Sequence, residues 1–170
     1  MEAGAGHSRW MSVKNAMTKD VVCIKASQKV KDAWLIMMEA DISGAPVVDE
    51  AGALVGILSN TDIFRCILDR LEKARSLREI TSESSDLALA DKEEIRELTL
   101  AIRALAESPV TSVIPKEQKL YTLSPEDSLD RAVRTMAEHS VNRLPVIKDN
   151  RVVGIITRQD VIWIVAGRPA

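Results

Sequence analysis

Two short stretches of the sequence place an aspartate three positions after a hydroxyl residue, Ser59 to Asp62 and Thr157 to Asp160. The spacing is that of a capping box, in which the hydroxyl accepts from a backbone N–H in the first helical turn and the acidic side chain reaches back. A carboxylate at a helix start is also an acceptor for hydroxyl donors, and a ribose offers two adjacent hydroxyls. Spacing alone leaves both interpretations open.

A carboxylate repels phosphate, so a nucleotide bound at either aspartate needs a cation elsewhere. Residues 142–145 read Asn-Arg-Leu-Pro, where residues 43–46 read Ser-Gly-Ala-Pro, so only the second stretch has an arginine there. Arg143 is therefore a candidate phosphate ligand, with a solvated surface arginine as the alternative. Arg158 is a second candidate, and its alternative is a helix-start residue that points to solvent.

Both stretches belong to a tandem repeat. Two segments of about 55 residues match with a shift of 97 to 99 positions. Matched positions include Pro46 with Pro145, Gly56 with Gly154 and Asp62 with Asp160. Self-similarity at separated positions in constant order indicates a duplication.

Each copy has the pattern β-α-β-β-α. Short apolar strands are predicted at 21–24, 46–48 and 54–58, with one at 120–123 in the second copy, and the last helix of each copy opens at Ser59 or Thr157. Ser124 as N-cap and Pro125 as first helical residue predict a helix to about residue 139. Since about 55 residues give a thin core, we expect an α+β fold in which the two repeats pack sheet to sheet as one pseudo-two-fold module.

The segment between the copies has no counterpart in either of them. Residues 81–86 are polar and predict a loop, and residues 92–107 predict an amphipathic helix with Asp91 as its cap. This helix either lies across the module or docks a partner. The expected division is a flexible extension at 1–11, a first domain at 12–72, the helical insert at 73–108, a second domain at 109–166 and a tail at 167–170.

The duplicated elements resemble a tandem pair of CBS domains, also called a Bateman module. The resemblance rests on the opening strand, the Pro-Val-Val/Ile step and the Gly-apolar-x-Ser/Thr-x-x-Asp motif at 56–62 and 154–160. It covers residues 12–72 and 109–166. It implies that adenosine-containing ligands such as AMP, ADP, ATP or S-adenosylmethionine bind in the cleft between the repeats, and that the protein regulates another protein and dimerises.

The resemblance also extends the set of candidate residues. It places adenine in an apolar slot among the first strand and the step 45–46 or the step 144–145, with Val22 as one wall and Tyr121 as a second wall or a core residue. Thr18 matches a family Met-Thr pair that Pro115 interrupts in the second copy, so we expect the copies to bind ligand unequally. The candidate ligand-binding residues are Thr18, Val22, Ala45, Pro46, Ser59, Asp62, Arg143, Leu144, Pro145, Thr157, Arg158 and Asp160.

Composition narrows the function classes. The chain has 170 residues, 46% of them hydrophobic and 28% charged, which excludes intrinsic disorder. A net charge of −2 and only 3 Trp, 1 Tyr and 1 Phe argue against nucleic-acid and anionic-membrane binding. The separated Cys23 and Cys66 predict no disulfide framework or metal site. Without a signal peptide or a span-length apolar run, the sequence predicts a cytoplasmic protein.

No nucleophile with a plausible base and no phosphate-cradling glycine loop is present, so we do not expect an enzyme. The leading hypothesis is a stand-alone regulatory module that binds AMP, ADP or ATP and transmits occupancy to a partner protein. The alternative is a scaffold or dimerisation protein of the same fold that binds no ligand. Residues 63–68 and 161–166 are apolar on most sides and need cover, which predicts a homodimer with Trp163 or Trp34 near the interface.

Overall fold

The computed structural model of the chain describes residues 11–81 and 87–167. Residues 1–10 of the predicted extension, 82–86 of the predicted loop and 168–170 of the predicted tail lie outside the described residues. The chain divides into two compact units. The Asp160 unit comprises Met1–Cys23, Pro46–Gly56 and Lys119–Ala170, and the Asp62 unit comprises Ile24–Ala45 and Ile57–Gln118.

Helices and strands follow the order of the two repeats. In the described residues they are β1 (Ile24–Lys25), α1 (Val30–Glu39), β2 (Gly44–Val48), β3 (Leu54–Ser59), α2 (Asn60–Thr81), α3 (Leu87–Ala106), α4 (Leu129–Glu138), β4 (Arg143–Lys148), β5 (Arg151–Thr157) and α5 (Arg158–Val165). Short 3-10 turns occur at Val13–Asn15 and Val110–Ser112.

The strands form two small sheets. One has the order β1-β2-β3, and β4 pairs with β5 in an antiparallel ribbon. In that ribbon Arg143 lies opposite Thr157, and the register shifts between Val146 and Ile147. Each repeat combines helices with a small sheet, and the predicted α+β class is confirmed.

The Asp160 unit has an aliphatic core. Helix α4 contributes positions spaced by three and four residues, and β4 contributes alternate positions, as helix and strand geometry require. The core cluster is Val13, Ala16, Leu123, Leu129, Ala132, Met136, Leu144, Val146 and Ile156. This core fixes β4, β5 and the start of α5, which carry half of the candidate residues.

The Asp62 unit is built in the same way but includes the inserted helix. Helix α1 buries Val30, Ala33 and Met37. Helix α3 contacts α1 and α2, and its Leu105 is buried. The helix predicted in the insert therefore packs within the Asp62 unit. Its residues Ile95 and Leu100 remain more than half exposed, at 65% and 55%.

Each unit receives the segment that precedes the other repeat. In the Asp160 unit the N–H of Val13 donates to the carbonyl of Asp127 at 2.8 Å, and the N–H of Leu129 donates to the carbonyl of Met11 at 2.9 Å. In the Asp62 unit the N–H of Val30 donates to the carbonyl of Ser108 at 2.9 Å. We call residues 11–18 and 108–118 the leading segments.

The second-repeat helix begins later than the sequence predicts. Ser124 does not cap it, because residues 124–127 form a turn in which the N–H of Asp127 donates to the carbonyl of Ser124 at 3.1 Å. The N-cap is Ser128, whose hydroxyl accepts from the N–H of Arg131 at 3.2 Å. Leu129 is buried in the core, so packing favours a helix that starts there and excludes Pro125.

Three other predicted elements also differ. The strand expected at 21–24 is reduced to β1, because a turn closed by the N–H of Val21 on the carbonyl of Lys19 precedes it. The strand expected at 120–123 contributes only a bridge between Leu123 and Val146. Helix α3 starts at Leu87, so Asp91 lies inside it and does not cap it.

Candidate functional site

The start of α5 is held by a complete capping box. The Asp160 carboxylate accepts at Oδ2 from the N–H of Thr157 at 2.7 Å and from its hydroxyl at 2.8 Å. The N–H of Asp160 donates to Thr157 Oγ1 at 3.3 Å. The interpretation of this motif as a helix cap is thus realised, and it uses only one of the two carboxylate oxygens.

The start of α2 has the same box. The N–H of Ser59 donates to Asp62 Oδ2 at 3.0 Å, and the N–H of Asp62 donates to Ser59 Oγ at 3.3 Å. The Ser59 hydroxyl also bonds to Asp62 Oδ2. The predicted equivalence of the two motifs therefore holds for the backbone of both helix starts.

The second carboxylate oxygen distinguishes the two aspartates. Asp62 Oδ1 pairs with the guanidinium of Arg65 at 3.5 Å, and the Asp62 side chain is only 12% exposed. Asp160 Oδ1 accepts no hydrogen bond from any side chain or backbone group in the described ranges. A carboxylate oxygen has two lone pairs, so Asp160 retains acceptor capacity toward hydroxyl donors.

Arg143 begins β4 directly opposite Thr157 in the ribbon register. It is half-buried, and Leu144 and Pro145 behind it are buried. The ribbon therefore brings a permanently charged guanidinium to the strand end from which α5 starts. In the first repeat the corresponding residue is Gly44, which carries no side chain.

Thr18 joins this group through the leading segment. Its N–H donates to the carbonyl of Ile155 at 2.9 Å, and its carbonyl accepts from the N–H of Ile155 at 3.0 Å. Ile155 precedes Thr157 by two residues, so Thr18 lies beside the end of β5. A cleft of about 550 Å³ at this segment is lined by Lys14, Asn15, Met17, Thr18 and Lys19.

The corresponding bond in the Asp62 unit is made by a side chain. The N–H of Ile57 donates to Gln118 Oε1 at 2.8 Å, and Gln118 Nε2 donates to the carbonyl of Ile57 at 2.9 Å. Pro115, which matches Thr18, has no N–H to donate. Sequence reasoning missed Gln118; the missing N–H at Pro115 was the one signal that another donor was needed.

Arg158 is tied to the protein by two bonds. Its N–H donates to the carbonyl of Asn142 at 3.0 Å, and its Nε donates to the carbonyl of Val141 at 3.2 Å. The side chain is exposed yet fixed against the segment before β4. Arg158 therefore connects the start of α5 to the strand that carries Arg143.

The remaining candidates are distributed over both units. Val22 and Pro46 belong to the Asp160 unit, and Ala45 belongs to the Asp62 unit. Ala45 and Pro46 are buried, and Val22 is half-buried. The structure thus brings together Thr18, Arg143, Thr157, Arg158 and Asp160 in one unit, and Ser59 and Asp62 in the other.

Tyr121 has a partner that the sequence did not indicate. Its ring stacks on His139 with centroids 3.9 Å apart and an interplanar angle of 9°. The two residues are eighteen positions apart, and His139 is the C-cap of α4. The stack couples the segment before α4, which contains Tyr121, to the end of that helix.

Within residues 11–81 and 87–167, no group of three or more His, Cys, Asp or Glu side chains is placed to hold a metal ion. Burial raises the pKa of the Cys23 thiol, and burial together with Asp69 raises the pKa of the Cys66 thiol. Both thiols are therefore protonated near neutral pH. None of the helices in the described ranges is long and apolar enough to cross a membrane.

Comparison with known families identifies both repeats. The family described as CBS domain matches residues 13–69 and 110–167, which together are more than half of the chain. Each matched segment contains one capping-box motif. The predicted resemblance is confirmed.

Relatives match most of the chain. An uncharacterized protein of Methanocaldococcus jannaschii is 28% identical over 153 residues, which are 89% of this chain and 89% of that protein. The inosine-5'-monophosphate dehydrogenase of Aquifex aeolicus is 28% identical over 150 residues, which are 88% of this chain and 23% of the enzyme. The chain is thus similar to a minor part of that dehydrogenase.

Solved structures share the fold. The CBS domain of a CBS domain-containing membrane protein from Sphaerobacter thermophilus has a TM-score of 0.67 and 26% identity and covers 91% of this chain and 88% of its own. CBSX2 in complex with AMP has a TM-score of 0.64 and 23% identity, with coverage of 92% and 96%. A CBS domain pair in complex with 5-methylthioadenosine and S-adenosyl-L-methionine has a TM-score of 0.62 and 20% identity, with coverage of 92% and 97%.

Proposed function

The chain belongs to the CBS-domain family, and from this we propose that it is a regulatory module that binds an adenosine-containing ligand. AMP, ADP and ATP are the first candidates and S-adenosylmethionine is a further one, since two proteins of similar fold are in complex with AMP or S-adenosyl-L-methionine. One observation carries the proposal. Asp160 keeps Oδ1 outside its capping box on the same strand end that Arg143 faces.

The proposed ligand is recognised by groups of opposite charge. A carboxylate such as Asp160 accepts both ribose hydroxyls, with Ser59 and Asp62 as the second candidate copy. The guanidinium of Arg143 binds phosphate oxygens, and Arg158 and the Thr18 hydroxyl add polar contacts. The adenine slot is proposed beside Val22, at the step 45–46 or at the step 144–145.

We propose no reaction for this chain. Acceptance of hydroxyls and attraction of an anion bind a molecule without transforming it. A ligand that prefers one conformation of the module shifts its population, and a partner protein that contacts the module reads this shift. We propose that the partner protein contacts the exposed apolar side chains of the helices.

We also propose that the chain forms a homodimer. In the Asp160 unit, Val133, Ile162 and Val165 are 42%, 63% and 80% exposed. A groove of about 300 Å³ between α4 and α5 is lined by Val133, Met136, Ala137, Arg158, Val161 and Ile162. An amphipathic helix normally buries its apolar stripe, so this face needs cover, and Trp163 lies on the same helix.

The Asp62 unit exposes a similar face. Leu35, Met38, Phe64 and Leu68 are each more than half exposed. Trp34 packs edge-on against Phe64, with centroids 6.1 Å apart. Light scattering at micromolar concentration is expected to give twice the 18.7 kDa of one chain. A monomer mass would remove the dimer from the proposal.

The alternative function is a scaffold of the same fold without a ligand, and one observation favours it. Both capping boxes are complete, so neither aspartate needs a ligand for its helix to start. A thermal-shift panel of AMP, ADP, ATP, S-adenosylmethionine and NAD separates the two functions. A nucleotide at a hundredfold its Kd should stabilise the fold by about 2.7 kcal/mol. If none of the five ligands raises the unfolding temperature, the result supports the scaffold.

A further inference from the structure

The two helix starts differ in what neutralises the aspartate. Arg65 lies one turn after Asp62 and pairs with its Oδ1, while the matching position after Asp160 is Trp163, which carries no charge. A ribose hydroxyl at Asp62 would share that oxygen with the Arg65 guanidinium, which lies 3.5 Å from it. At Asp160 the same oxygen accepts without such competition.

The leading segments also differ, and their difference too favours ligand binding in the Asp160 unit. In the Asp160 unit the main chain of Thr18 pairs with β5, so the hydroxyl is not needed for this attachment, and Thr18 also lines the cleft of about 550 Å³. In the Asp62 unit the carboxamide of Gln118 occupies the edge of β3 at Ile57, and Pro115 offers neither an N–H nor a hydroxyl. The N–H and carbonyl of Ile57 at that strand edge are thus already bonded to the Gln118 side chain.

The strand opposite each helix start shows the third difference. Arg143 faces Thr157, whereas the first repeat has Gly44 at the matching position. A phosphate needs a cation near the sugar it is attached to, and only the Asp160 unit places an arginine at this step. Among the described residues, only the Asp160 unit combines an aspartate with an open oxygen, a threonine in the leading segment and an arginine opposite the helix start.

From these differences we infer that the chain binds one adenosine-containing ligand, in the Asp160 unit, and that the Ser59–Asp62 box is a structural helix cap only. The inference rests on the proposed function and specifies which copy performs it. It assigns Arg65 and Gln118 to closing the Asp62 copy, and Thr18, Arg143 and Asp160 to the ligand.

Titration calorimetry with AMP tests the inference on the full chain. The expected stoichiometry is one AMP per chain. Asp160→Asn keeps an oxygen for the capping box but replaces the other carboxylate oxygen by an N–H donor, so AMP binding should weaken by about tenfold or more. Asp62→Asn makes the same change in the other copy and should leave the AMP affinity within about twofold.

A third variant controls for the loss of a helix-start carboxylate in general. Asp127 accepts from the N–H of Ser124 at 2.7 Å in the same unit and has no part in the proposed site. Asp127→Asn should also keep the AMP affinity within about twofold. The unfolding midpoint of each variant without ligand shows that it is folded before the titration.

The outcomes separate the two claims. Two AMP molecules per chain, or an equal loss of affinity in Asp62→Asn and Asp160→Asn, would overturn the single-site inference and leave the proposed function intact. Absence of binding by the wild-type chain, for AMP, ADP, ATP and S-adenosylmethionine alike, would overturn the proposed function and this inference with it.

Discussion

The starts of α2 and α5 are closed by the same box of hydrogen bonds, but the groups around the two boxes differ. Asp62 shares its second oxygen with Arg65, and Asp160 keeps that oxygen for another donor. Helix capping depends only on residues three positions apart, so both copies of the motif provide it. The proposed ligand recognition requires groups from other strands and segments, and in the described residues we assign these groups to Thr18 and Arg143 of the Asp160 unit.

The leading segments show the same contrast in their attachment. Residue 18 is attached through its own main chain, and any amino acid except proline could make those two bonds. The segment 115–118 is attached through the side chain of Gln118 alone at this point of the strand. One attachment is independent of side-chain identity, whereas the other depends on a single carboxamide.

Arg143→Ala is expected to have the largest effect and tests the charge difference between the units. A hydrogen bond to a charged group contributes about 1.5–3 kcal/mol, so AMP affinity should fall by about 10- to 100-fold. Adenosine has no phosphate and should keep its affinity within about twofold. Calorimetry with both ligands measures the difference.

Lys148→Ala is the matched control, because it removes a positive charge from the exposed end of the same strand. It should change the affinity for neither ligand. If Arg143→Ala weakened adenosine as much as AMP, the arginine would support the strand and would not bind phosphate.

Gln118→Ala sharpens the contrast between the leading segments. It leaves the N–H and carbonyl of Ile57 without their protein partners, which should lower the free energy of unfolding by about 1–2 kcal/mol. Thr18→Ala preserves the main-chain pair and should change that free energy by less than about 0.5 kcal/mol. Urea denaturation of both variants gives the comparison, and equal losses would show that the attachments do not differ.

The smallest expected effect is the loss of the ion pairs of Glu107 in the Asp62 unit. Glu107, just after α3, pairs with Lys29 at 2.8 Å and with Lys31 at 2.6 Å. The hydrogen bonds from Lys29 and then Lys31 lower the pKa of Glu107 from 4.5 to about 2. Because the pKa is lower in the folded state, the stabilisation is present above pH 4.5 and is lost as the pH falls toward 2.

Comparison of the wild-type chain with Glu107→Gln over this pH range measures that contribution. The difference in unfolding midpoint should be constant above about pH 5 and should disappear at about pH 2. All three side chains are about half exposed, so about 1 M salt should reduce the difference as well. A difference that persists at pH 2 would assign the effect to lost packing of the Glu107 side chain.

Local patterns predicted most of the fold. The β-α-β-β-α pattern of each repeat and the two capping boxes depend on residues a few positions apart, which periodicity and capping rules describe. The start of α4 was mispredicted because Ser124 and Ser128 are both good caps. Burial of Leu129 decides between them, and burial is a tertiary property.

Contacts between distant positions could not be predicted from such patterns. Gln118 bonds to Ile57 across 61 positions, and Lys14 pairs with Glu126 across 112. The exchange of leading segments between the units follows from contacts of this kind. Thr157, Asp160 and Arg143 of the candidate site could therefore be predicted from the sequence. The contacts of Arg65 and Gln118, which also distinguish the copies, could not.

A crystal structure of the chain with AMP would show which aspartate binds the ribose. We expect one AMP per chain, with the ribose hydroxyls on Asp160 Oδ1 and the phosphate at Arg143, while Asp62 stays paired with Arg65. Crystals grown in saturating AMP in which Asp160 bonds only to the backbone and hydroxyl of Thr157, with no nucleotide beside it, would show that Asp160 is a helix cap and not a ribose ligand.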